Sequence, residues 1–168
     1  RDHLFSLKQA ANLYWHYHNQ LTELDHELES YLELFEDKSD GKSLSSSPAP
    51  KAGSNSPKFD MRNHLYKICG VDLTEIDGIK GYGALQIIAE IGIDMSLWPS
   101  EKHFASWLCL CPGNKKTGGR LVSGKSRANA NRAASVLRMA AQSLGRSDCA
   151  LGAFYRRMKS RLGAPKAI

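Results

Sequence analysis

The chain has 168 residues, 42% of them hydrophobic, which allows one modest core and an extended element. No apolar run approaches the roughly 18–20 residues needed to span a bilayer, and no signal-peptide pattern is present, so membrane insertion is excluded and a cytoplasmic setting is expected. The net charge of +6 hides a polarity: residues 1–100 carry 9 Lys/Arg against 15 Asp/Glu, whereas residues 101–168 carry 14 against 2. Charges packed so densely repel one another unless a polyanion neutralises them, although a solvated basic surface would look the same. Cys109 and Cys111 form a C-x-C without a second pair, a weak zinc signal. With Cys69 and Cys149 they read as free thiols in a reducing compartment, and no metal site is expected in this chain. The first residue is Arg1 rather than a methionine, so the chain is expected to be a piece of a longer protein.

Residues 4–36 read as one long helix. Leu7, Ala10, Tyr14, Tyr17, Leu21, Leu24, Leu28, Tyr31 and Phe35 recur at spacings of three and four, with no Pro or Gly between them. Glu23, Glu27, Glu29 and Glu33 flank this seam. A stripe so narrow calls for a partner helix, so residues 1–36 are expected to form a coiled coil and a homo-oligomer. An amphipathic helix lying on a globular core is the competing reading. Residues 37–58, including SLSSSPAPKAGSNSP, cannot bury enough apolar surface to offset their ordering entropy and are expected to form a flexible linker.

From residue 59 to 168 the pattern predicts a compact helical domain. A short helix over 61–69 ends at Gly70, and IDGIKGYG (76–83) leads into the apolar stretch 84–91. This pattern suggests a helix-hairpin-helix, whose hairpin amides face a phosphate, but Lys80 stands where that motif wants its second glycine. A helical turn serving only the core fits equally well. Ser100 is placed to cap a helix carrying Phe104, Trp107 and Leu108. Two helices close the chain, one over 131–144 ending at Gly145 and one over 150–162 stopped by Gly163. The last puts Leu151, Phe154, Tyr155, Met158 and Leu162 on one face and Arg156, Arg157, Lys159 and Arg161 elsewhere. The expected fold class is therefore mainly α.

Residues 113–132 are expected to be a glycine-rich basic loop. Lys115, Lys116, Arg120, Lys125 and Arg127 are interspersed with Gly118, Gly119 and Gly124, and with the hydroxyls of Thr117, Ser123 and Ser126. Glycines let a backbone approach a phosphate, cations stabilise charge on phosphoryl oxygens, and a hydroxyl can attack phosphorus. Arg132 closes the basic run; Asn129 and Asn131 could orient a strand or cap the next helix. No His, Asp or Glu lies within 113–132 to act as base or metal ligand, which points to a second domain or subunit.

EKHFASWLCLCPGNK (101–115), TGGR (117–120), SGK (123–125), LGAFYRRM (151–158) and GAPKAI (163–168) resemble the C-terminal domain of insertion-sequence 110/1111 transposases, and GVDLTEIDGI (70–79) extends the likeness upstream. The resemblance covers about residues 59–168. It implies a bacterial, nucleoid-associated site-specific DNA recombinase whose members are guided by a structured RNA. It also implies an N-terminal RuvC-like domain, in the parent protein, whose four acidic residues hold Mg2+. A serine of the C-terminal domain then forms a covalent link to DNA in a site shared between subunits. That serine falls five residues after the proline, at Thr117 here, a departure from the family pattern. Thr117 is the expected nucleophile, with Ser123 as the alternative. Lys115, Lys116, Gly118, Gly119, Arg120, Lys125, Arg127 and Arg132 are the expected nucleic-acid contacts. A non-catalytic nucleic-acid-binding adaptor and a purely structural oligomerisation module are the readings that compete.

Overall fold

The computed structural model describes residues 2–44 and 56–168, so residues 45–55 of the expected linker lie outside the described residues. The chain divides into two compact units, Arg1–Asp72 and Leu73–Ile168. It is mainly α, as the periodicity predicts.

In the first unit, helix α1 (Asp2–Glu33) runs unbroken for 32 residues. Helix α2 (Met61–Cys69) packs against it, burying Met61, Leu65 and Ile68, while Leu32 is the buried residue of α1. Polar bonds fix the pairing. The Lys58 amide donates to Asp25 at 3.1 Å, the Lys38 amide donates to the Lys67 carbonyl at 2.7 Å, and His64 Nε2 meets Glu29 Oε1 at 3.4 Å. Asp60 caps α2 by accepting from the Asn63 amide, and Gly70 closes it in the left-handed region at φ 72°. A Cβ at Gly70 would lie 2.8 Å from the Lys38 carbonyl, so conformation and space both require glycine there. Arg62 grips Asp72 with Nε at 2.8 Å and Nη2 at 2.7 Å, the two side chains being only 10% and 6% exposed. Most of the predicted seam of α1 is uncovered in the single chain: Leu7, Tyr14, Tyr17, Leu21, Leu24 and Tyr31 are 59–66% exposed.

The second unit begins with a 3-10 turn at Leu73–Glu75, followed by α3 (Gly81–Ile91) and α4 (Glu101–Trp107). Strands β1 (Lys115–Thr117) and β2 (Arg120–Ser123) come next, then α5 (Arg132–Ser143), α6 (Ala150–Leu162) and the short α7 (Ala164–Ala167). Helices α3 and α5 form the centre, where Ala84, Ile87, Ala133, Ala134 and Val136 are buried. Small residues at this contact let the two backbones approach closely. The segment before α3 opens with the 3-10 turn Leu73–Glu75 and runs into α3 at Gly81. Its glycine at 78, with φ 89°, has a core role: a Cβ there would lie 2.9 Å from the Ala140 carbonyl of α5.

Helix α6 has the predicted bounds and is capped by Cys149, whose Sγ accepts from the Gly152 amide at 3.3 Å. It crosses the 3-10 turn Leu144–Arg146 so closely that a Cβ on Gly152 would meet the Ser147 carbonyl at 2.5 Å and the Leu144 carbonyl at 2.7 Å. Tyr155 is buried against Gly145. Leu151, Phe154 and Leu162, which periodicity assigns to the same face, are instead about half exposed. The helix meets its support through Gly152 and Tyr155, while Leu151, Phe154 and Leu162 extend beyond it.

Candidate nucleic-acid interface

Residues 113–132 are not the irregular loop that composition predicts. Their centre is an antiparallel β-hairpin, with Gly118 and Gly119 at φ 55° and 76° forming the two-residue turn. Two successive positive φ values are what such a tight turn demands, and its twist matches the strands it joins. Thr117 pairs with Arg120, Lys116 with Leu121 and Lys115 with Ser123. The register slips by one between Lys115 and Lys116, which leaves Val122 as an extra residue on β2, a β-bulge. Side chains alternate along a strand, so Lys115 and Thr117 share a face with their partners Ser123 and Arg120. Both expected hydroxyls and two of the expected cations therefore come together. Lys116 lies on the opposite face with Leu121.

The hydroxyls differ in their surroundings. Thr117 is exposed, and its hydroxyl makes no hydrogen bond among the described residues. Ser123 is partly buried, and its Oγ accepts from the Lys125 amide at 3.3 Å. Lys115, Lys116, Arg120, Lys125 and Arg127 are all exposed, and none has an acidic partner among the described residues. From residue 102 to 147 the sequence contains no Asp or Glu at all, so this part of the chain supplies no counter-charge of its own.

Both ends of the hairpin are tied to the core. The Gly113 amide donates to the Lys125 carbonyl at 3.3 Å, and a Cβ at Gly113 would lie 2.8 Å from that oxygen. Upstream, α4 ends in a Schellman motif: the Leu110 amide donates to the Ala105 carbonyl and the Cys109 amide to the Ser106 carbonyl, each at 3.0 Å. The left-handed residue of that motif is Cys109, at φ 54°, where glycine is the usual choice. Downstream, the Asn129 amide group donates to the carbonyl of buried Leu108 at 2.9 Å, and its Oδ1 accepts from the Asn131 amide at 2.9 Å. Asn131 caps α5 by accepting from the Ala134 amide at 3.1 Å. Both asparagines thus serve local structure. Arg132 is the exposed first residue of α5, its amide facing Glu90 Oε1 at 3.5 Å, so this helix start already has acceptors from its own chain.

Two further features escape the sequence patterns. Trp98 gathers with Phe104 and Trp107, with ring centroids 5.0 and 5.1 Å from its own, beside the start of the hairpin segment. On α6 the Arg157 guanidinium lies over the Phe154 ring at 5.4 Å, while Arg156 Nη1 donates to the Ser147 carbonyl at 2.7 Å. Arg156 is thus committed to holding the turn beneath α6. Among the described residues no three His, Cys, Asp or Glu side chains gather as a metal-ligand set. Among them, too, no helix is long and apolar enough to cross a membrane.

The family model described as Transposase IS116/IS110/IS902 family matches residues 70–156, slightly more than half of the chain. No curated protein and no solved structure matches it. The matched stretch takes in α3, α4, the hairpin, α5 and the first half of α6, the elements that build and anchor the basic face. The chain belongs to the Transposase IS116/IS110/IS902 family.

Proposed function

We propose that this chain is the DNA-holding, nucleophile-bearing part of a transposase that cuts and rejoins DNA through a covalent phospho-hydroxyl intermediate. The observation that supports this most is the shared hairpin face of Lys115, Thr117, Arg120 and Ser123, in a stretch without a single carboxylate. Thr117 is the better nucleophile of the two hydroxyls, because it is exposed and unbonded whereas Ser123 is engaged by the Lys125 amide. The extra methyl of threonine stiffens χ1 without changing the chemistry of the oxygen.

In the proposed step a bond forms from Thr117 Oγ1 to phosphorus as the bond from phosphorus to the 3′ oxygen breaks. Lys115 and Arg120 neutralise the non-bridging oxygens, Gly118 and Gly119 leave the approach to the turn open, and Lys116, Lys125, Arg127 and Arg132 hold flanking phosphates. The base that takes the threonine proton lies outside residues 113–132, which hold no His, Asp or Glu. In this reading it comes from a RuvC-like domain elsewhere in the parent protein, whose acidic residues the resemblance implies. Mg2+ held there would supply charge stabilisation at the leaving 3′ oxygen. A structured guide RNA and a shared site between subunits belong to the same reading. The exposed seam of α1 suits a second copy, and Leu21→Glu with Leu24→Glu should then reduce the assembly to monomer in sedimentation.

The decisive experiment uses the full-length parent with its RNA and Mg2+. Thr117→Ala should abolish both strand exchange and the covalent protein–DNA adduct, Thr117→Ser should retain them, and Ser123→Ala should leave the adduct in place. Strand exchange unchanged in Thr117→Ala would remove the assigned role. For the chain alone, DNA affinity should fall steeply with salt, and each of Lys115→Ala and Arg120→Ala should lower the logarithmic salt slope by about one. Salt-insensitive binding would count against phosphate contacts.

A further inference from the structure

The hairpin carries one feature that phosphate binding does not use. Leu121 and Val122 stand 59% and 67% exposed on β2, between Arg120 and Ser123. Two adjacent aliphatic side chains in water gain nothing for the fold, and in a ribbon otherwise made of Lys, Thr, Arg and Ser they form a small apolar point. The bulge shapes it. Leu121 shares the face opposite Thr117 with Lys116, whereas Val122 is the extra residue with no partner on β1, so the pair sits at the bulge, one strand across from the hydroxyl of Thr117.

Charge decides what can cover this point. It is bracketed by cations on both faces of the ribbon, Lys115 and Arg120 on one and Lys116 on the other, with Lys125 and Arg127 following. A protein surface that buried Leu121 and Val122 would have to desolvate these cations or pair each with a carboxylate. DNA offers phosphates on both sides of a groove and base edges at its floor, the thymine methyl among them, with the apolar faces one step of unstacking away. A two-stranded ribbon also has the width that the major groove admits, about 12 Å. Aliphatic side chains pressed against a base step unstack it, at a few kcal/mol per step. Strand exchange needs such local opening, because nucleotides beside the cut must leave their partners.

We propose that Leu121 and Val122 form an apolar wedge that presses against the bases of duplex DNA and loosens the step next to the phosphate presented to Thr117. This rests on the DNA-holding reading above and adds to it a group that acts on bases rather than on the backbone. Leu121 and Val122 are positioning residues: they alter the DNA and do not touch the reacting atoms.

The test needs no knowledge of the target sequence. The intact chain is titrated, by fluorescence anisotropy, against a 20-base-pair duplex and against the same duplex carrying a central two-base mismatch. The mismatch removes most of the unstacking cost, so the chain should bind it about tenfold more tightly. Leu121→Ser with Val122→Thr should erase that preference while leaving the salt slope unchanged. Lys115→Ala with Arg120→Ala should weaken binding to both duplexes and keep the preference. Leu121→Phe, which enlarges the wedge, should raise the preference and gives a second readout if the polar double variant loses its hairpin. Equal binding to both duplexes with a steep salt slope would overturn the wedge and leave the DNA-holding reading standing. A preference that survives the double variant, or one that Leu121→Phe fails to raise, would overturn it as well, as would a change of oligomeric state with unchanged DNA binding. No binding to either duplex would remove both readings together.

Discussion

Replacing Gly152 by alanine pits two effects of opposite sign against each other. In an exposed helix the change would stabilise by about 1 kcal/mol, since alanine is the better helix former. Here the new methyl would lie 2.5 Å from the Ser147 carbonyl and 2.7 Å from the Leu144 carbonyl, and both obstacles are backbone, which cannot rotate aside. Helix α6 must then lift off the turn at Leu144–Arg146, which also stretches the 2.7 Å bond from Arg156 to the Ser147 carbonyl and the packing of Tyr155 on Gly145. Overpacking of this kind costs about 1–3 kcal/mol, and a rigid obstacle on two sides puts the cost at the upper end. The net loss is then about 2 kcal/mol, or roughly thirty-fold faster opening. Amide hydrogen exchange across 150–162 in the intact chain measures it directly, with Ala153→Gly on the exposed side of α6 as the propensity control. Exchange in Gly152→Ala that is as slow as in the parent, or slower, would refute the close crossing.

Other perturbations separate the remaining forces. Asp72→Ala would strip the carboxylate from the largely buried Arg62 guanidinium and should cost about 3 kcal/mol in urea unfolding; a loss below about 1 kcal/mol would mean that water already screens the pair. Cys109→Gly should stabilise by about 0.5 kcal/mol, because relief of the left-handed strain slightly exceeds the added freedom of the unfolded glycine; a lowered melting temperature would contradict this. Burial pushes the Cys69 thiol up, which keeps it protonated where an exposed thiol ionises, so a maleimide at mildly alkaline pH should label Cys111 first and Cys69 much later. Equal labelling rates would mean that the Cys69 environment is wetter than its packing indicates.

The helices were legible because local signals and tertiary packing agree in them. Asp60 and Gly70 bracket α2 at its predicted ends, and Gly163 stops α6 where it should. The hairpin was hidden because Lys-Lys-Thr and Arg-Leu-Val-Ser show no apolar alternation, and neither face of the ribbon is buried to impose one. Its one signal was the Gly118–Gly119 pair between the two short runs, which marks a two-residue turn. At the candidate site the residue types could be read but their juxtaposition could not, because the bulge that brings Ser123 onto the Thr117 face is a matter of pairing, which composition does not encode. The roles of Gly78 and Gly152 were equally invisible: the first depends on the Ala140 carbonyl, far along the chain, and the second on how the turn at Leu144–Arg146 folds back under α6.

The extra residue in β2 decides which side chains the front of the ribbon shows. In the slipped alignment Ser123 stands across from Lys115; sliding to an unbroken ladder would seat Val122 there and send the serine to the back. The Gly113–Lys125 bond at the base of the ribbon and the partial burial of Ser123 favour the slipped alignment. The front of the ribbon therefore shows a serine in the alignment observed and a valine in the other.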